Sequence, residues 1–499
     1  MSLPGSASSF GQLDREARIW LGLTALLHLV AVFRWPGYLH PDEHFQTLEL
    51  ASYALGHTPA DALPWEFEAR IRPWFQPGLY ALVGLVVPPD RPFAFATACR
   101  GLSALIAWLS VLALGTRYRA WFPDAATRRF AWAATATFYV LPVLRVRTSS
   151  ENLGAALFVL GLALAVSPRD RARTDVFAGL LAGLGFLARY QMGFMVVGLL
   201  AWRLIATRAP RRAAVLSLGV LTAIGLGVLV DRWGYGIWQL TPWRYAVVNL
   251  LEGKAASFGE APPWAYAGYL WHDLALPFDL LTLLALPLAL LRAPRHPLVW
   301  VNLPFVLGHA VIGHKEPRFL YPYLCLVPPL LAVAGAGLGA RVPRGLRRVA
   351  VGALVVLDAW WLLAYYPPEL RAGPWLEPLV AVARPISYGG EDPFRPVGPR
   401  TRLYAGERVS TARPATDAAA SSVPLVYYHY QRRARSSPVE LEEACDRLGV
   451  WPWPWAVLPD GLTTSTFGRH ALDTEVRHAV YLCPGGRSDA RAGPRSRPP

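Results

Sequence analysis

Two adjacent acids lie between two histidines in His40-Pro41-Asp42-Glu43-His44-Phe45-Gln46, directly after the first long apolar run of the chain. A carboxylate partly withdrawn from water and set beside another has a raised pKa and can take a proton from a hydroxyl, so Asp42 and Glu43 are candidate catalytic groups. The same two acids would suit the first turn of a helix, where they favour the macrodipole. A second charged knot, His314-Lys315-Glu316-Pro317-Arg318-Phe319, is wedged between later apolar runs. His314, Lys315 and Arg318 offer donors suited to a phosphate, and Glu316 can hold one of them in place. Arg189 with Gln191, and Arg145 with Arg147 ahead of Asn152, add further donors. A base facing several phosphate donors fits transfer of a group from a lipid phosphate to a hydroxyl. Such a donor carries its own leaving group, so the site must deprotonate the acceptor and stabilise the departing phosphate.

Two other chemistries fit parts of this pattern. His40, Glu43 and His44 match H-x-x-E-H, an inverted zinc-protease arrangement that needs both imidazoles on one helical face, although Pro41 puts His40 ahead of the helix. A transporter of a polar or lipid-linked solute would use intramembrane acids such as Asp273, Asp279 and Asp358, but the two related halves expected of one are not evident. The four cysteines form no C-x-x-C pair, which argues against a zinc ribbon or redox motif.

The elements that must position these groups are membrane helices. A chain of 499 residues that is 54% hydrophobic and 17% charged is too apolar for a soluble protein. Its formal charge of +15 comes almost entirely from arginine, which in membrane-protein loops reports topology and lipid contact rather than nucleic-acid binding. Apolar runs near 17–35, 93–115, 130–147, 151–167, 176–188, 191–206, 213–230, 271–291, 298–313, 319–340 and 349–366 give about eleven spans, the first uncleaved. The arginine-rich loops fall on one side if 176–206 crosses twice, turning near Arg189-Tyr190-Gln191. That puts the N-terminus inside, and both charged knots on the opposite face. Within the first external loop, 36–92, Phe45, Leu48, Ala51 and Leu55 recur at near helical spacing, which predicts a helix lying amphipathically along the interface, with Pro41 in its first turn. Residues 1–366 thus form an all-α polytopic unit. Residues 367–485 form a small external domain with strand over 423–430 and either a Cys445–Cys483 disulfide or free thiols, and 486–499 form a disordered tail.

The two knots, His40-Pro41-Asp42-Glu43-His44-Phe45-Gln46 with Glu49 and His314-Lys315-Glu316-x-Arg318-Phe319-x-x-Pro322, resemble the signature motifs of the family 22 glycosyltransferases. These are the GT-C-fold mannosyltransferases of N-glycan and GPI-anchor assembly. The resemblance continues in order through Leu63-Pro64-Trp65-Glu66-Phe67, Arg72-Pro73, Arg147-Thr148-x-Ser150-x-Asn152, Asp231-Arg232-x-x-Tyr235-Gly236, Asn249 and Phe258-Gly259 before Pro262-Pro263-Trp264. It implies a GT-C fold and inverting transfer of mannose from a dolichyl- or polyprenyl-phosphate donor to a glycan or glycolipid hydroxyl, in alpha linkage. Asp42 would be the base with Glu43 its neighbour. His314, Lys315, Arg318 and Arg189 would face the donor phosphate, and His40, Gln46, Trp65, Glu66, Arg72, Arg147, Asn152, Gln191 and Glu316 would line the substrates. No cofactor is firmly implied, though a divalent cation, magnesium or manganese, could sit at the phosphate. The third motif departs from the family order, reading Ser150-Glu151-Asn152, so Glu151 is not carried over. The loop around Trp264 lacks a denser Trp-His-Trp pattern, which leaves the acceptor open. The preference for arginine over lysine suits a GC-rich genome, and hence a bacterial inner membrane with a periplasmic site; in a eukaryote the site would face the lumen of the endoplasmic reticulum.

Overall fold

Among the described residues, helix covers most of each of the eleven apolar runs, and local chemistry sets the ends. In the computed structural model the described residues are 13–167, 171–336 and 343–365, and beyond them 386–389, 410–412, 414–422, 424–432, 439–451 and 476–483. The chain divides into two units, Met1–Tyr365 and Tyr366–Pro499.

In the first unit Asp14 caps α1 (Arg15–Arg34), its carboxylate accepting the Ala17 N–H at 2.8 Å. The first loop then holds a π-type turn, His44–Leu48, running into α2 (Glu49–Ala54), then α3 (Trp65–Ala69) and α4 (Phe75–Gly84). There follow α5 (Pro92–Trp121), α6 (Ala125–Thr137), α7 (Leu141–Leu144), α8 (Ser150–Ala165), α9 (Ala172–Ala188), α10 (Gly193–Ala201) and α11 (Pro210–Tyr235). The remainder is α12 (Thr241–Ala246), α13 (Ala265–Asp273), α14 (Phe278–Arg292), α15 (Pro297–Val311), α16 (Tyr321–Leu324), α17 (Val327–Gly335) and α18 (Arg344–Ala364). Four stretches, α1, α5, α11 and Pro317–Gly335, are long and apolar enough to cross a membrane by length and composition. Shorter apolar helices accompany them at Ser150–Ala165, Tyr190–Ala206, Pro297–Val311 and Val349–Ala364. Exposed leucines along α11, Leu218, Leu221 and Leu229, present an apolar surface of the kind lipid would cover.

Several expected spans are broken. The run 130–147 divides after Thr137, where Asp358 of α18 accepts the Tyr139 N–H at 3.0 Å. The run 271–291 divides between α13 and α14 at Leu274–Pro277, and 319–340 enters through a 3-10 turn, Pro317–Leu320. The break at Arg189 falls where the sequence places it: α9 ends at Ala188, and Arg189 is extended with φ −146° and ψ 111°. Helix α9 packs between α8 and α11. The α9–α11 crossing is a glycine contact, since a Cβ on Gly179 would lie 1.9 Å from the Leu216 carbonyl oxygen and one on Gly219 would lie 2.1 Å from that of Val176.

The helix expected to lie amphipathically along an interface is corrected by the structure: it forms, but residues 43–52 are buried on every side. Its polar groups find partners inside instead. His44 Nε2 meets Glu49 Oε1 at 2.9 Å, Gln46 donates to Glu66 at 3.0 Å, and Thr58 donates to Glu49 and Ser52 at 2.9 and 2.8 Å.

In the second unit five strands form a mixed sheet in the order β2-β1-β3-β5-β4: β1 (Ile386–Gly389), β2 (Ser410–Ala412), β3 (Leu425–Arg432), β4 (Asp446–Trp451) and β5 (Val476–Cys483). β3 realises the strand expected over 423–430. It pairs antiparallel with β5 from Leu425 opposite Cys483 to Arg432 opposite Val476. Leu425, Tyr427, Leu441 and Tyr481 form its core around a Cys445–Cys483 disulfide, which decides between the two cysteine states left open by the sequence. The tail expected to be disordered, 486–499, lies outside the described residues.

Candidate active site

The site begins with a brace. Ser149 caps α8, its Oγ accepting the Asn152 N–H at 3.2 Å, and Asn152 Nδ2 donates to the carbonyls of Arg145 and Arg147 at 3.0 and 2.8 Å. The Arg147 side chain, fully buried, donates to the carbonyls of Trp35 and Gly37 at 2.6 and 3.2 Å, and Thr148 Oγ1 donates to that of Glu43 at 3.1 Å. Gly37 turns with φ +89°, a conformation that suits glycine. Arg147 and Asn152 therefore reach main-chain carbonyls rather than the open site, and they fix the loop that carries His40 to Glu43.

On that loop the two acids part. Glu43 points inward, 2% exposed, with Oε1 accepting the Leu39 N–H at 2.9 Å and Oε2 without a hydrogen-bond partner among the described residues. Burial pushes its carboxyl up to about 7, against the pull of Arg147. Asp42 faces the other way, its side chain 23% exposed. Burial would raise its pKa too, but Arg318, Arg72 and His40 outweigh that and hold the carboxyl well below the usual range.

The second knot closes onto Asp42. Arg318 Nη2 donates to Asp42 Oδ2 at 2.6 Å and to Glu316 Oε1 at 3.1 Å, and its Nε donates to Glu316 Oε2 at 2.6 Å. Glu316 also meets His314 Nε2 at 2.9 Å and His40 Nε2 at 3.3 Å, and the arginine beside it brings its pKa down to about 2 despite burial. The Asp42 N–H donates to His40 Nδ1 at 3.2 Å, which assigns the imidazole proton to Nε2, toward Glu316. Burial, then Arg318, lowers the His40 pKa against the opposite pull of Asp42 and Glu316. On the opposite flank Arg72 lies 3.3 Å from Glu66 and 3.9 Å from Asp42, and Gln46 donates to that same Glu66 oxygen.

A third carboxylate reaches Arg318 from α8. Glu151, 1% exposed, sits 3.3 Å from Arg318 Nη1 and 3.2 Å from Arg189 Nη2, while the Arg189 guanidinium covers the Phe319 ring at 4.8 Å. Glu151 is the site residue that motif matching passed over. Its signal was an acid opening an otherwise apolar helix, a position that costs free energy unless a cation is near.

The other expected residues stand around this core. Lys315 turns its Nζ to the Ile312 carbonyl and lies over the Tyr266 ring, contacts that lead away from Asp42. Gln191 donates to Tyr245 Oη at 2.8 Å, and the Tyr245 ring lies under Arg72 at 5.8 Å. Trp65 stacks on Phe258 with Lys254 over it at 4.8 Å, and Phe258 reaches His314 at 5.9 Å. The H-x-x-E-H reading does not assemble: His44 is paired inside with Glu49, His40 with Glu316, and Glu43 with the loop backbone. Among the described residues no three His, Cys, Asp or Glu side chains are placed to hold a metal ion.

Comparison with known proteins returns a family model and a fold. Residues 19–365 match the model described as the Alg9-like mannosyltransferase family. The chain is 27% identical over 380 residues to GPI mannosyltransferase 3 of Aspergillus fumigatus, covering 63% of this chain and 48% of that protein. It is 26% identical over 387 residues to GPI alpha-1,2-mannosyltransferase 4 of Homo sapiens, covering 63% and 64%. The chain thus spans about half the length of the first curated relatives it matches, at 48%, 58% and 40%. Among solved structures, ArnT from Cupriavidus metallidurans, crystallised with undecaprenyl phosphate, aligns with a TM-score of 0.52 at 13% identity over 93% of this chain and 97% of that one. That likeness bears out the expected GT-C fold.

Proposed function

Because the chain belongs to the Alg9-like mannosyltransferase family, we propose that it transfers mannose from a polyprenyl- or dolichyl-phosphate donor to a hydroxyl of a glycan or glycolipid, with inversion to an alpha linkage. The observation that carries the reading is the 2.6 Å contact between Asp42 and Arg318, which joins a proton acceptor to a phosphate-gripping cation across two distant motifs. Asp42, open to the site, accepts the proton of the acceptor hydroxyl. That oxygen bonds to C1 of the sugar, and the C1–oxygen bond to phosphate breaks, leaving its electrons on the lipid phosphate. Arg318 and Arg189, with His314 at the edge, meet the charge that develops there. Glu43 is the stronger base by environment, but it is enclosed and committed to the Leu39 N–H, so its part is to hold the loop. Asp42, Glu66, Glu151 and Glu316 are each engaged by an arginine, so in this reading the guanidiniums carry the charge neutralisation.

A glycolipid acceptor is supported by the relatives named for GPI, and a polyprenyl donor by the lipid phosphate crystallised with a protein of the same fold. A periplasmic or lumenal location for the second unit is supported by its disulfide, since such bonds persist in oxidising compartments. Incubating the purified full chain with labelled polyprenyl-phosphate mannose and candidate glycolipids tests the proposal. Transfer to at least one acceptor is expected, together with its loss in a folded Asp42→Asn variant. An active Asp42→Asn enzyme would remove Asp42 from its role.

A further inference from the structure

Arg318 is already occupied. Its guanidinium, 7% exposed, gives charge-assisted hydrogen bonds to Asp42 and Glu316 and lies 3.3 Å from Glu151. Arg72 is shared between Glu66 and Asp42, and Arg189 is held by Glu151. Four carboxylates, Asp42, Glu66, Glu151 and Glu316, therefore surround three guanidiniums. A phosphate seated against these largely buried arginines adds negative charge that the paired guanidiniums do not balance, and unmatched charge is costly where water is scarce. One carboxylate has to release its arginine.

Asp42 is the one placed to do so. Glu316 holds the fork with both oxygens and is itself held by His314 and His40, and Glu151 bridges two arginines. Among the described residues Asp42 has a single short contact, to Arg318; His40 and Arg72 stand off at 3.6 and 3.9 Å. It is also the carboxylate that loses its charge during transfer.

We infer that Arg318 passes from Asp42 to the donor's phosphate, so that Asp42 becomes an effective base only once the donor is seated and the reaction runs donor first. This rests on the function proposed above. Paired with Arg318, the carboxylate is a weak proton acceptor; released, it recovers basicity next to the acceptor hydroxyl. Its proton then comes from that hydroxyl, while the charge expelled onto the phosphate is taken by the guanidinium that Asp42 gave up. Glu316 and Glu151 act as positioning residues, keeping Arg318 in reach of both partners.

The test is binding of a short-chain polyprenyl phosphate to the purified full chain, followed by tryptophan fluorescence, in wild type, Asp42→Asn and Glu316→Gln. Removing the competitor should tighten binding about tenfold in Asp42→Asn, the worth of one charge-assisted hydrogen bond. Glu316→Gln removes an equally near negative charge yet should bind no tighter, because Arg318 loses its hold. Equal tightening in both variants would mean that only the local field matters, and unchanged or weaker binding to Asp42→Asn would mean that no exchange occurs; either overturns the inference and leaves the transferase reading intact. Absence of saturable binding to wild type would sink that reading and this one with it. Wild-type initial rates give an independent measure that needs no variant to fold: the released lipid phosphate should compete with the donor, and the glycosylated product should be non-competitive against the acceptor. Direct competition between that product and the acceptor would overturn the order.

Discussion

At the scale of single residues, adjacent acids take opposite roles because the loop sends them to opposite environments. Asp42 is charged and paired, whereas Glu43 is enclosed beside one backbone N–H, and its pKa of about 7 has a consequence for stability. A carboxyl whose folded pKa is raised binds its proton more tightly folded than unfolded. The stability it contributes is thus complete below the unfolded value and lost as pH rises through about 7, on the order of 3 kcal/mol. Asp42, held low, works the other way and loses its contribution only in acid; His40, also held low, adds stability as pH rises through its ordinary range. Glu43→Gln keeps an acceptor for the Leu39 N–H without the charge. Thermal unfolding in detergent should show wild type falling relative to Glu43→Gln between about pH 4.5 and 7, and parallel curves would contradict the assignment. The identities of the acids and of Arg318 were legible in the sequence. Their division of labour was not, because it depends on which way each side chain points.

At the scale of elements, packing rather than propensity makes the site. The sequence located the helices but read the one after Asp42 as interfacial, since spacing alone does not distinguish a face covered by lipid from one covered by protein. Gln46, Glu49 and Thr58 settle the matter by finding partners inside. The α9–α11 contact sets Gly179 and Gly219 against opposing carbonyls, and α9 is the helix that ends at Ala188 just before Arg189. Gly219→Leu has no room and should cost at least 1–3 kcal/mol, roughly the range for overpacking. The expected outcome is a lower unfolding temperature together with reduced transfer, although the residue is remote from Asp42. A variant with wild-type stability would show that the crossing is not a constraint.

At the scale of the molecule, loops distant in sequence gather into two groups. One contains the first loop, the Arg147–Asn152 turn, Arg189, Tyr245 and the second knot, joined by Asp42, Glu151 and Arg72. The other joins arginine-rich loops: Asp175 pairs with Arg203 and Arg212, Trp202 donates to the Arg295 carbonyl, and Trp121 packs on His296. That separation is what the arginine bias implied. The Cys445–Cys483 disulfide predicts an oxidising compartment for the second unit, so that these two thiols should be alkylated only after reduction; thiols already reactive in native membranes would place the tail in a reducing compartment. By itself the sequence determined the membrane class, the positions of the helices, the family and the two charged motifs, because hydrophobic length and residue chemistry are local quantities. Only the tertiary structure decided that Arg318 is held by Asp42, that Glu151 belongs to the site and Arg147 to its support, and that Glu43 is enclosed. Pairing and burial are relations between segments far apart in the chain, and no local pattern encodes which partner a charge will meet.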